Sequence, residues 1–417
     1  MRDMKDSGIP WIGMIPVNWH TMPNKYLMFK QKRICPIYDG SDILSLTMNG
    51  VIVRDLDAGG KMPTSFDGYQ RVEAGSLLMC LFDIDVTPRC VGLVKQGGVT
   101  SPSYSCFSLE PIADAAYYCY YYTMLDNDKT LLHLAKNLRH SLTEDQLGAI
   151  STVVPPVSEQ KRIAAFLDAK CAEIDALAAD TQSQIDTLEQ YKRSVITEAV
   201  TKGLDPDAEL RDSGIDCVPQ IPENWIVSRF KYIAEVKSNL VSPNGYEDYP
   251  QVSPDNIEKN SGRLLSYNTV EDAGIISGNH LFFAGQILYS KIRPNLNKVV
   301  IAPFDGLCSA DMYPIETNLN VKFIVYMMLS NYFVEQVSLV VRDRVKMPKI
   351  NQDELGRIRV VIPPGEEQRG IADFLDAKCA EIDSIIAGKK KQLETLDAYK
   401  KSLIFEYVTG KKEVIMT

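Results

Sequence analysis

The chain has 417 residues, enough for two or three domains, and its 45% hydrophobic and 24% charged residues are typical of a globular protein. The net charge of −9 argues against a simple nucleic-acid binder, which usually has an excess of lysine and arginine. No apolar run of about eighteen residues exists and the N-terminus lacks the core of a signal peptide, so we expect a cytoplasmic protein without a membrane span.

Neither a metal site nor a catalytic site is predicted. Nine cysteines stand without a C-x-x-C pair, as reduced thiols do, and the four histidines have no partners at zinc-ligand spacing. The chain has no Walker A sequence, no G-x-G-x-x-G and no NPPY-like tetrad. The histidines are too far apart to indicate a Ser/His/Asp or Cys/His arrangement, and EVK (235–237) is too short a match to indicate a nuclease.

The chain is two copies of one unit. Near the start of the first copy stands DSGIPWIGMIPVNW (6–19), and the second copy has the similar DSGIDCVPQIPENW (212–225). VVPPVSEQKRIAAFLDAK (153–170) returns as VIPPGEEQRGIADFLDAK (361–378), and the stretches between these blocks are much less alike. Matches in the same order at nearly equal spacing indicate an internal duplication, with the order variable, shared, variable, shared.

The variable segments, 20–141 and 226–349, have the pattern of mixed α/β domains. Short apolar runs broken by Gly, Pro and Asp predict strands at 43–47, 76–82, 90–94, 105–109, 286–292 and 298–302. One apolar helix follows in each segment, at 114–125 and 321–333. Tyrosines at 117, 118, 120, 121 and 122 either stack on bases or pack in a core, and packing is the commoner role of such a helix.

A long helix is predicted after each double proline, because no further proline occurs until Pro206 or the chain end. Apolar residues then recur at three- and four-residue steps: Ile174, Leu177, Thr181, Ile185, Leu188, Tyr191 and Val195, and Ile382, Ile385, Leu393, Leu396, Tyr399 and Leu403. Each helix of about 45 residues would span roughly 65 Å. A lone helix of this kind is a spacer or an oligomer contact, but two similar ones predict an antiparallel coiled coil with a pseudo-twofold axis.

Basic clusters recur in both halves and are the candidate DNA contacts. In the second half they are Lys291, Arg293, Asn295, Asn297 and Lys298, which we expect on one face of an extended segment, and Arg342, Arg344, Lys346 and Lys349. In the first half they are Lys30, Lys32 and Arg33, and Lys136, Arg139 and His140. Arg and Asn can bind base edges in a bidentate manner, whereas a single charged run is more often a solvated loop.

A doubled P-P-x-x-E-Q-x-x-I-A-x-F-L-D followed by a long helix resembles the specificity (S) subunit of type I restriction-modification enzymes. The matching residues are Pro155, Pro156, Glu159, Gln160, Ile163, Ala164, Phe166, Leu167 and Asp168, with Pro363, Pro364, Glu367, Gln368, Ile371, Ala372, Phe374, Leu375 and Asp376. The I-P-x-N-W openings and SKIRP (290–294) also resemble this family, and the likeness covers essentially the whole chain. The first half departs from it, with CLFDIDVTPR (80–89) where SKIRP would stand.

The resemblance implies an α+β protein in which two target recognition domains (1–150 and 206–357) are joined by two helical spacers (151–205 and 358–417). Such a subunit is a non-catalytic reader of a gapped double-stranded DNA site, with one domain for each half-site. Two methylation subunits, which bind S-adenosylmethionine, and the restriction subunits would carry the chemistry. The resemblance implies no cofactor on this chain.

Docking of the methylation subunits is expected along the shared helices, at Glu159, Gln160, Phe166, Leu167, Glu367, Gln368, Phe374 and Leu375. Partner subunits could then supply much of the phosphate-binding surface that the acidic chain lacks. The alternative function is a two-headed coiled-coil scaffold that binds proteins and not DNA. Salt-dependent binding to a gapped duplex distinguishes the two.

Overall fold

The computed structural model describes residues 2–57, 63–135, 140–344 and 346–415. The chain divides into two compact units: unit 1 is Met1–Thr181 with Lys391–Thr417, and unit 2 is Gln182–Lys390. Each unit contains one variable segment, together with part of both long helices. The predicted boundaries at 150, 205 and 357 follow the sequence repeat and remain predictions.

The two longest helices begin within two residues of the double prolines, as the sequence predicts. In chain order the helices are α1 (Ala115–Asn127), α2 (Glu144–Ala149), α3 (Val157–Lys202), α4 (Val321–Leu329), α5 (Asn331–Val341), α6 (Gln352–Arg357) and α7 (Gly365–Val408). Asp114 and Asn320 cap α1 and α4, each accepting a backbone hydrogen bond from the third helical residue. The predicted helix 321–333 is therefore two helices, which meet at Ser330.

The strands of unit 1 form two four-stranded sheets and two two-stranded antiparallel pairs. They are β1 (Met4–Asp6), β2 (Met14–Pro16), β3 (His20–Pro23), β4 (Met28–Gln31), β5 (Ile43–Thr47), β6 (Gly50–Val53), β7 (Gln70–Val72), β8 (Leu77–Met79), β9 (Val91–Leu93), β10 (Gly98–Thr100), β11 (Ser105–Leu109) and β12 (Ser151–Val154). The sheet orders are β6-β5-β10-β7 and β4-β11-β8-β9, and the pairs are β1-β2 and β12-β3. Only β5 and β10 run parallel among the described pairs of unit 1.

Unit 2 has the same plan with a larger sheet. Its strands are β13 (Leu210–Ile215), β14 (Val218–Pro222), β15 (Ile226–Arg229), β16 (Ala234–Val236), β17 (Leu240–Val241), β18 (Pro250–Val252), β19 (Asn268–Thr269), β20 (Asn279–Phe282), β21 (Ile287–Ser290), β22 (Val299–Ile301), β23 (Gly306–Cys308), β24 (Met312–Thr317) and β25 (Arg359–Ile362). The orders are β17-β20-β23-β18-β19 and β16-β24-β21-β22, with pairs β13-β14 and β15-β25. The six predicted strands all correspond to observed ones: β5, β8, β9, β11, β21 and β22.

The tyrosine-rich helix α1 packs into the core of unit 1. Tyr117, Tyr118, Tyr121 and Tyr122 are each at most 2% exposed, and their rings meet edge to face. Burying rings of this size supplies much of the core's apolar area, and their edge-to-face contacts add to it. The base-stacking alternative is therefore excluded for these four side chains.

The two long helices pack antiparallel within each unit. In unit 1, Phe166 stacks on Tyr407 with ring centroids 4.5 Å apart, and Asp175 pairs with Lys400 at 2.6 Å. In unit 2, Gln184 accepts a hydrogen bond from Lys389 and Lys192 pairs with Asp383 at 2.7 Å. Residue numbers rise along α3 as they fall along α7, as an antiparallel pair requires.

The predicted seam is correct in part. Ile174, Thr181, Ile185, Ile382 and Leu403 are buried, whereas Leu177, Tyr191, Ile385 and Tyr399 are 43–55% exposed. A straight helix drifts from a 3.5-residue repeat, so a seam extended over several turns moves off the contact face.

In the described ranges no single helix is long and apolar enough to cross a membrane. The pair α4 and α5 reaches that length and composition only jointly, and is bent by 60°. Phe323 and Phe333, one in each helix, are fully buried in the core of unit 2.

Candidate nucleic-acid interface

The two basic clusters of the second half meet in space. The segment 290–298 connects β21 to β22, and the segment 342–349 leads from α5 towards α6; we call them the unit 2 loop pair. The backbone N–H of Arg293 donates to the carbonyl of Pro348 (2.8 Å), and that of Ile350 donates to Lys291 (2.9 Å). Segments separated by some fifty residues thus form one surface.

The first segment is not extended, which corrects the prediction. Arg293 and Asn297 both adopt left-handed backbone conformations (φ 44° and 43°), on either side of the 3-10 turn Pro294–Leu296. The proline fixes the turn, because its ring favours the first position of such a helix. The predicted alternation of side chains on one face is therefore lost, and Arg293 stands at a sharp corner.

Three of the five candidates in this segment are engaged inside the chain. Asn297 is 1% exposed and its amide donates to the carbonyl of Met328 (3.1 Å), while Lys298 donates to Pro254 (2.6 Å). Asn295 accepts from the Ser338 hydroxyl at 2.8 Å. Burial takes Asn297 out of reach of DNA in this conformation, whereas the contact predicted for the partly buried Lys298 stays a prediction.

Arg293 is exposed, and among the described residues its guanidinium has no side-chain partner. Lys291 lies beside it, with its ammonium group 5.3 Å from the ring centroid of Tyr313. The buried His280 on β20 has a pKa lowered by its burial and, further, by the charge of Lys291. Among the described residues, neither Lys291 nor Arg293 forms an ion pair with a carboxylate.

The second segment contributes two available cations and two that are paired. Arg344 forms a bidentate pair with Glu354, and Lys349 pairs with Asp311 at 2.9 Å. In the described ranges the one ion pair of Arg342 is with its neighbour Asp343, at 3.7 Å, and Lys346 is exposed without a partner. Arg293, Arg342 and Lys346 are thus the side chains of the loop pair best placed to bind phosphates or base edges.

Unit 1 has an equivalent loop pair that carries acidic side chains, Asp83 and Asp85, where unit 2 has basic ones. The N–H of Leu142 donates to Leu81 (2.8 Å), and that of Ile84 donates to His140 (3.2 Å). Asp83 takes the left-handed position (φ 47°) that Arg293 takes in unit 2. The hydrogen bond from His140 to Asp85, at 2.9 Å, lowers the pKa of Asp85.

Most of the DNA contacts predicted in the first half involve side chains that are paired within the chain or lie outside the described residues. His140 is bound to Asp85, while Lys136 and Arg139 lie outside the described residues. Lys30 pairs with Glu144 and Arg33 with Glu73, which leaves Lys32 exposed and without a partner in the described part of the chain. The sequence indicated this difference, because unit 1 has CLFDIDVTPR (80–89) where unit 2 has SKIRP (290–294).

The paired Glu-Gln residues are mostly internal, which corrects the docking prediction for them. Gln160 is fully buried, accepts from the Asp114 N–H (2.6 Å) and donates to the carbonyls of Ile112 (2.9 Å) and Pro155 (2.8 Å). Glu159 accepts from Trp19 Nε1 at 3.0 Å. These bonds fasten the start of α3 to the cap of α1 and to the opening block.

The Glu-Gln residues of the second copy make the same kind of hydrogen bonds. Gln368 accepts from the Asn320 N–H (3.0 Å) and donates to Pro363 (2.9 Å), and Glu367 accepts from Trp225 Nε1 (3.0 Å). Leu167 and Leu375 are fully buried, so they too pack inside their units. Of the eight predicted docking residues, Phe374 (41% exposed) and the half-buried Phe166 keep a sizeable accessible surface, and Glu367 is partly accessible.

One contact that occurs in both units was not predicted from the sequence. Tyr120 donates to Asp168 and Tyr326 donates to Asp376, both at 2.7 Å, so that each variable segment is tied to its long helix. Burial, and then the hydrogen bond to the carboxylate, raise the pKa of both tyrosines. The tyrosines stand at equivalent positions of the two apolar helices, a signal that the repeat alignment could have provided.

No cluster of three or more His, Cys, Asp or Glu that could hold a metal ion occurs among the described residues. The nine cysteines are free thiols. Burial raises the pKa of Cys171 and Cys379, the two cysteines within the shared decapeptide FLDAKCAEID, which makes them poor thiolate nucleophiles.

The sequence is similar to a known protein family and to several characterised proteins. A family model described as type I restriction modification DNA specificity domain matches residues 222–395. The EcoDI type I restriction enzyme specificity subunit of Escherichia coli is 36% identical over 251 residues, which are 57% of this chain. The putative MjaX specificity subunit of Methanocaldococcus jannaschii is 27% identical over 66% of this chain.

These matches extend over 56% and 62% of the two relatives, so the chain spans little more than half the length of each. A chain in a solved structure, described as the structural basis of complex assembly and conformational transition of the type I R-M system, has a TM-score of 0.69. The similarity covers 95% of this chain and 99% of that one at 13% identity, and therefore concerns the fold alone.

Proposed function

We propose that this chain, which is similar to the specificity subunits of type I restriction-modification enzymes, reads a gapped, bipartite DNA site without catalysing a reaction. Unit 2 reads one half-site through its loop pair, and unit 1 reads the other through the equivalent loops. The observation that carries the proposal is the meeting of two separate basic segments at one exposed corner, Arg293, on the domain that matches the DNA specificity family model.

The different loops of the two units support an asymmetric site. Arg293 suits the acceptor edge of guanine, whereas Asp83 at the equivalent corner suits an exocyclic amine such as that of cytosine. Two units with the same fold but different side chains in the loops can recognise two unlike half-sites. The shared helices then serve as the spacer between the recognition domains 1–150 and 206–357.

The remaining parts of the proposal concern partners. Two methylation subunits carry S-adenosylmethionine and methylate adenine, and restriction subunits join them in the full complex. This chain itself holds no cofactor, and it acts in the cytoplasm on double-stranded DNA. The acidic net charge of −9 is compatible with this role if the methylation subunits supply part of the phosphate-binding surface.

Exchanging residues 20–141 for the corresponding segment of a relative tests this function. We expect the exchange to change one half of the recognised sequence and to leave the other half and the spacer unaltered, because the second head remains intact. The measurement is methylation of a randomised duplex library by the reconstituted complex. A change in both halves, or in neither, would contradict modular reading by the two units.

A further inference from the structure

An exposed Lys-Tyr pair occurs at the same place in both units, whereas most of the predicted docking residues are buried. Within the dissimilar variable segments, Lys25 and Tyr26 of unit 1 correspond to Lys231 and Tyr232 of unit 2. Both tyrosines are exposed, Tyr26 by 59% and Tyr232 by 70%. Core packing explains shared buried residues, but it gives no reason for keeping an exposed ring twice.

The geometry of this pair is the same in both units. The Lys25 ammonium lies 5.1 Å from the ring centroid of Tyr26, and that of Lys231 lies 4.9 Å from Tyr232. A cation held near a ring in this way fixes both side chains on the surface. Each pair belongs to a short 3-10 helix, Asn24–Tyr26 or Phe230–Tyr232.

A second shared segment packs beside each pair. Helix α2 contacts the first 3-10 helix and α6 contacts the second. A Cβ atom on Gly148 would lie 3.4 Å from Lys25 Cβ, and one on Gly356 would lie 3.1 Å from Lys231 Cβ. The glycines therefore leave room for the lysine stems, and the exposed Asp145 and Asp353 stand on the same short helices.

We propose that this Lys-Tyr patch, formed by the 3-10 helix and the following α2 or α6, is a docking surface for one protein partner that binds each unit once. The inference rests on the proposed function, and it names that partner as the methylation subunit. The Lys-Tyr pair and the Asp and Gly beside it are the same in two units whose DNA-reading loops differ, which suits a partner that is the same at both.

The charges of the patch favour a protein over DNA. In unit 1 Lys25 and Lys30 stand with Glu144 and Asp145 around a cavity of about 440 Å³. Phosphate contacts need cations in excess, whereas in unit 1 two carboxylates balance the two lysines. Met28, Phe29, Phe107 and Leu147 give this unit 1 cavity an apolar lining. Unit 2 has Ala234 and Glu235 at the positions of Met28 and Phe29, so the shared part of the patch is the Lys-Tyr pair with its neighbouring Gly and Asp.

The test uses the full chain carrying Tyr26→Ala, Tyr232→Ala or both, and the purified methylation subunit of the same system. We expect the double variant to bind the subunit at least about tenfold more weakly, because exposed tyrosines are frequent hot spots. Each single variant should keep one tight site, visible as a one-to-one complex in native mass spectrometry. Phe283→Ala, which removes an exposed aromatic ring that unit 1 does not share, is the matched control and should bind normally.

Binding of the methylation subunit by the double variant at wild-type affinity, with an unchanged melting temperature, would overturn the inference. So would a double variant that keeps this binding but loses salt-dependent DNA binding, because the patch would then contact phosphates. If the unaltered chain does not bind the methylation subunit at all, the partner proposed for this chain is wrong. The inferred docking surface is then wrong as well.

Discussion

Replacing Arg293 by alanine is expected to weaken binding to the half-site read by unit 2 by about 1–3 kcal/mol. Arg293 is the exposed corner of the unit 2 loop pair, and in the described ranges its guanidinium has no partner within the chain. The substitution therefore removes a side chain that is available to DNA without removing side-chain contacts within the described protein. Equilibrium binding of the reconstituted complex to duplexes with single base changes measures the effect.

The backbone at this position provides a sharper form of the same experiment. Arg293 has φ +44°, a left-handed conformation that costs an ordinary residue roughly 1–2 kcal/mol and costs glycine almost nothing. Arg293→Gly should therefore melt no lower than the parent protein and yet bind the half-site weakly. Arg369→Ala, at an exposed arginine of α7, is the control and should leave affinity unchanged. Full affinity in the Arg293 variants would remove this side chain from the interface.

Replacing Gln160 by alanine is expected to lower the free energy of unfolding by about 3 kcal/mol, more than most single substitutions. The side chain is fully buried and makes three hydrogen bonds, to Asp114, Ile112 and Pro155. Alanine leaves their backbone groups buried without partners. Denaturant unfolding of the full chain, followed by fluorescence, measures the loss.

Lys161→Ala is the matched control, because Lys161 is the next residue on α3 and is exposed. It should change stability by less than about 0.5 kcal/mol. If the Gln160 variant is as stable as this control, the hydrogen bonds at the start of α3 contribute little, and the shared Glu-Gln residues would then be better explained by an external partner.

Much of the fold followed from the sequence. The repeat, the double prolines and the run of residues without proline located α3 and α7 to within a few residues. The short apolar runs at 43–47 and 105–109 coincide with β5 and β11. These features are local, since they depend on periodicity and on the backbone limits of proline and glycine.

The site was less predictable because it depends on contacts between distant segments. SKIRP suggested an extended strand, but Pro294 and two left-handed residues make a corner there. Burial of Asn297 follows from its bond to Met328, 31 residues further along the chain, which no local pattern encodes. The Glu-Gln residues illustrate the same limit, since polar side chains near a helix start are usually exposed, and these are enclosed by Trp19 and the cap of α1.

Methylome sequencing of cells with and without this gene is the most direct test of DNA reading by this chain. We predict that deletion removes one methyl-adenine motif of two unlike halves separated by a fixed gap, and that the gene restores it. A scaffold that binds only proteins would leave the methylome unchanged. An unchanged methylome in a strain whose methylation subunits are expressed would contradict the proposed function.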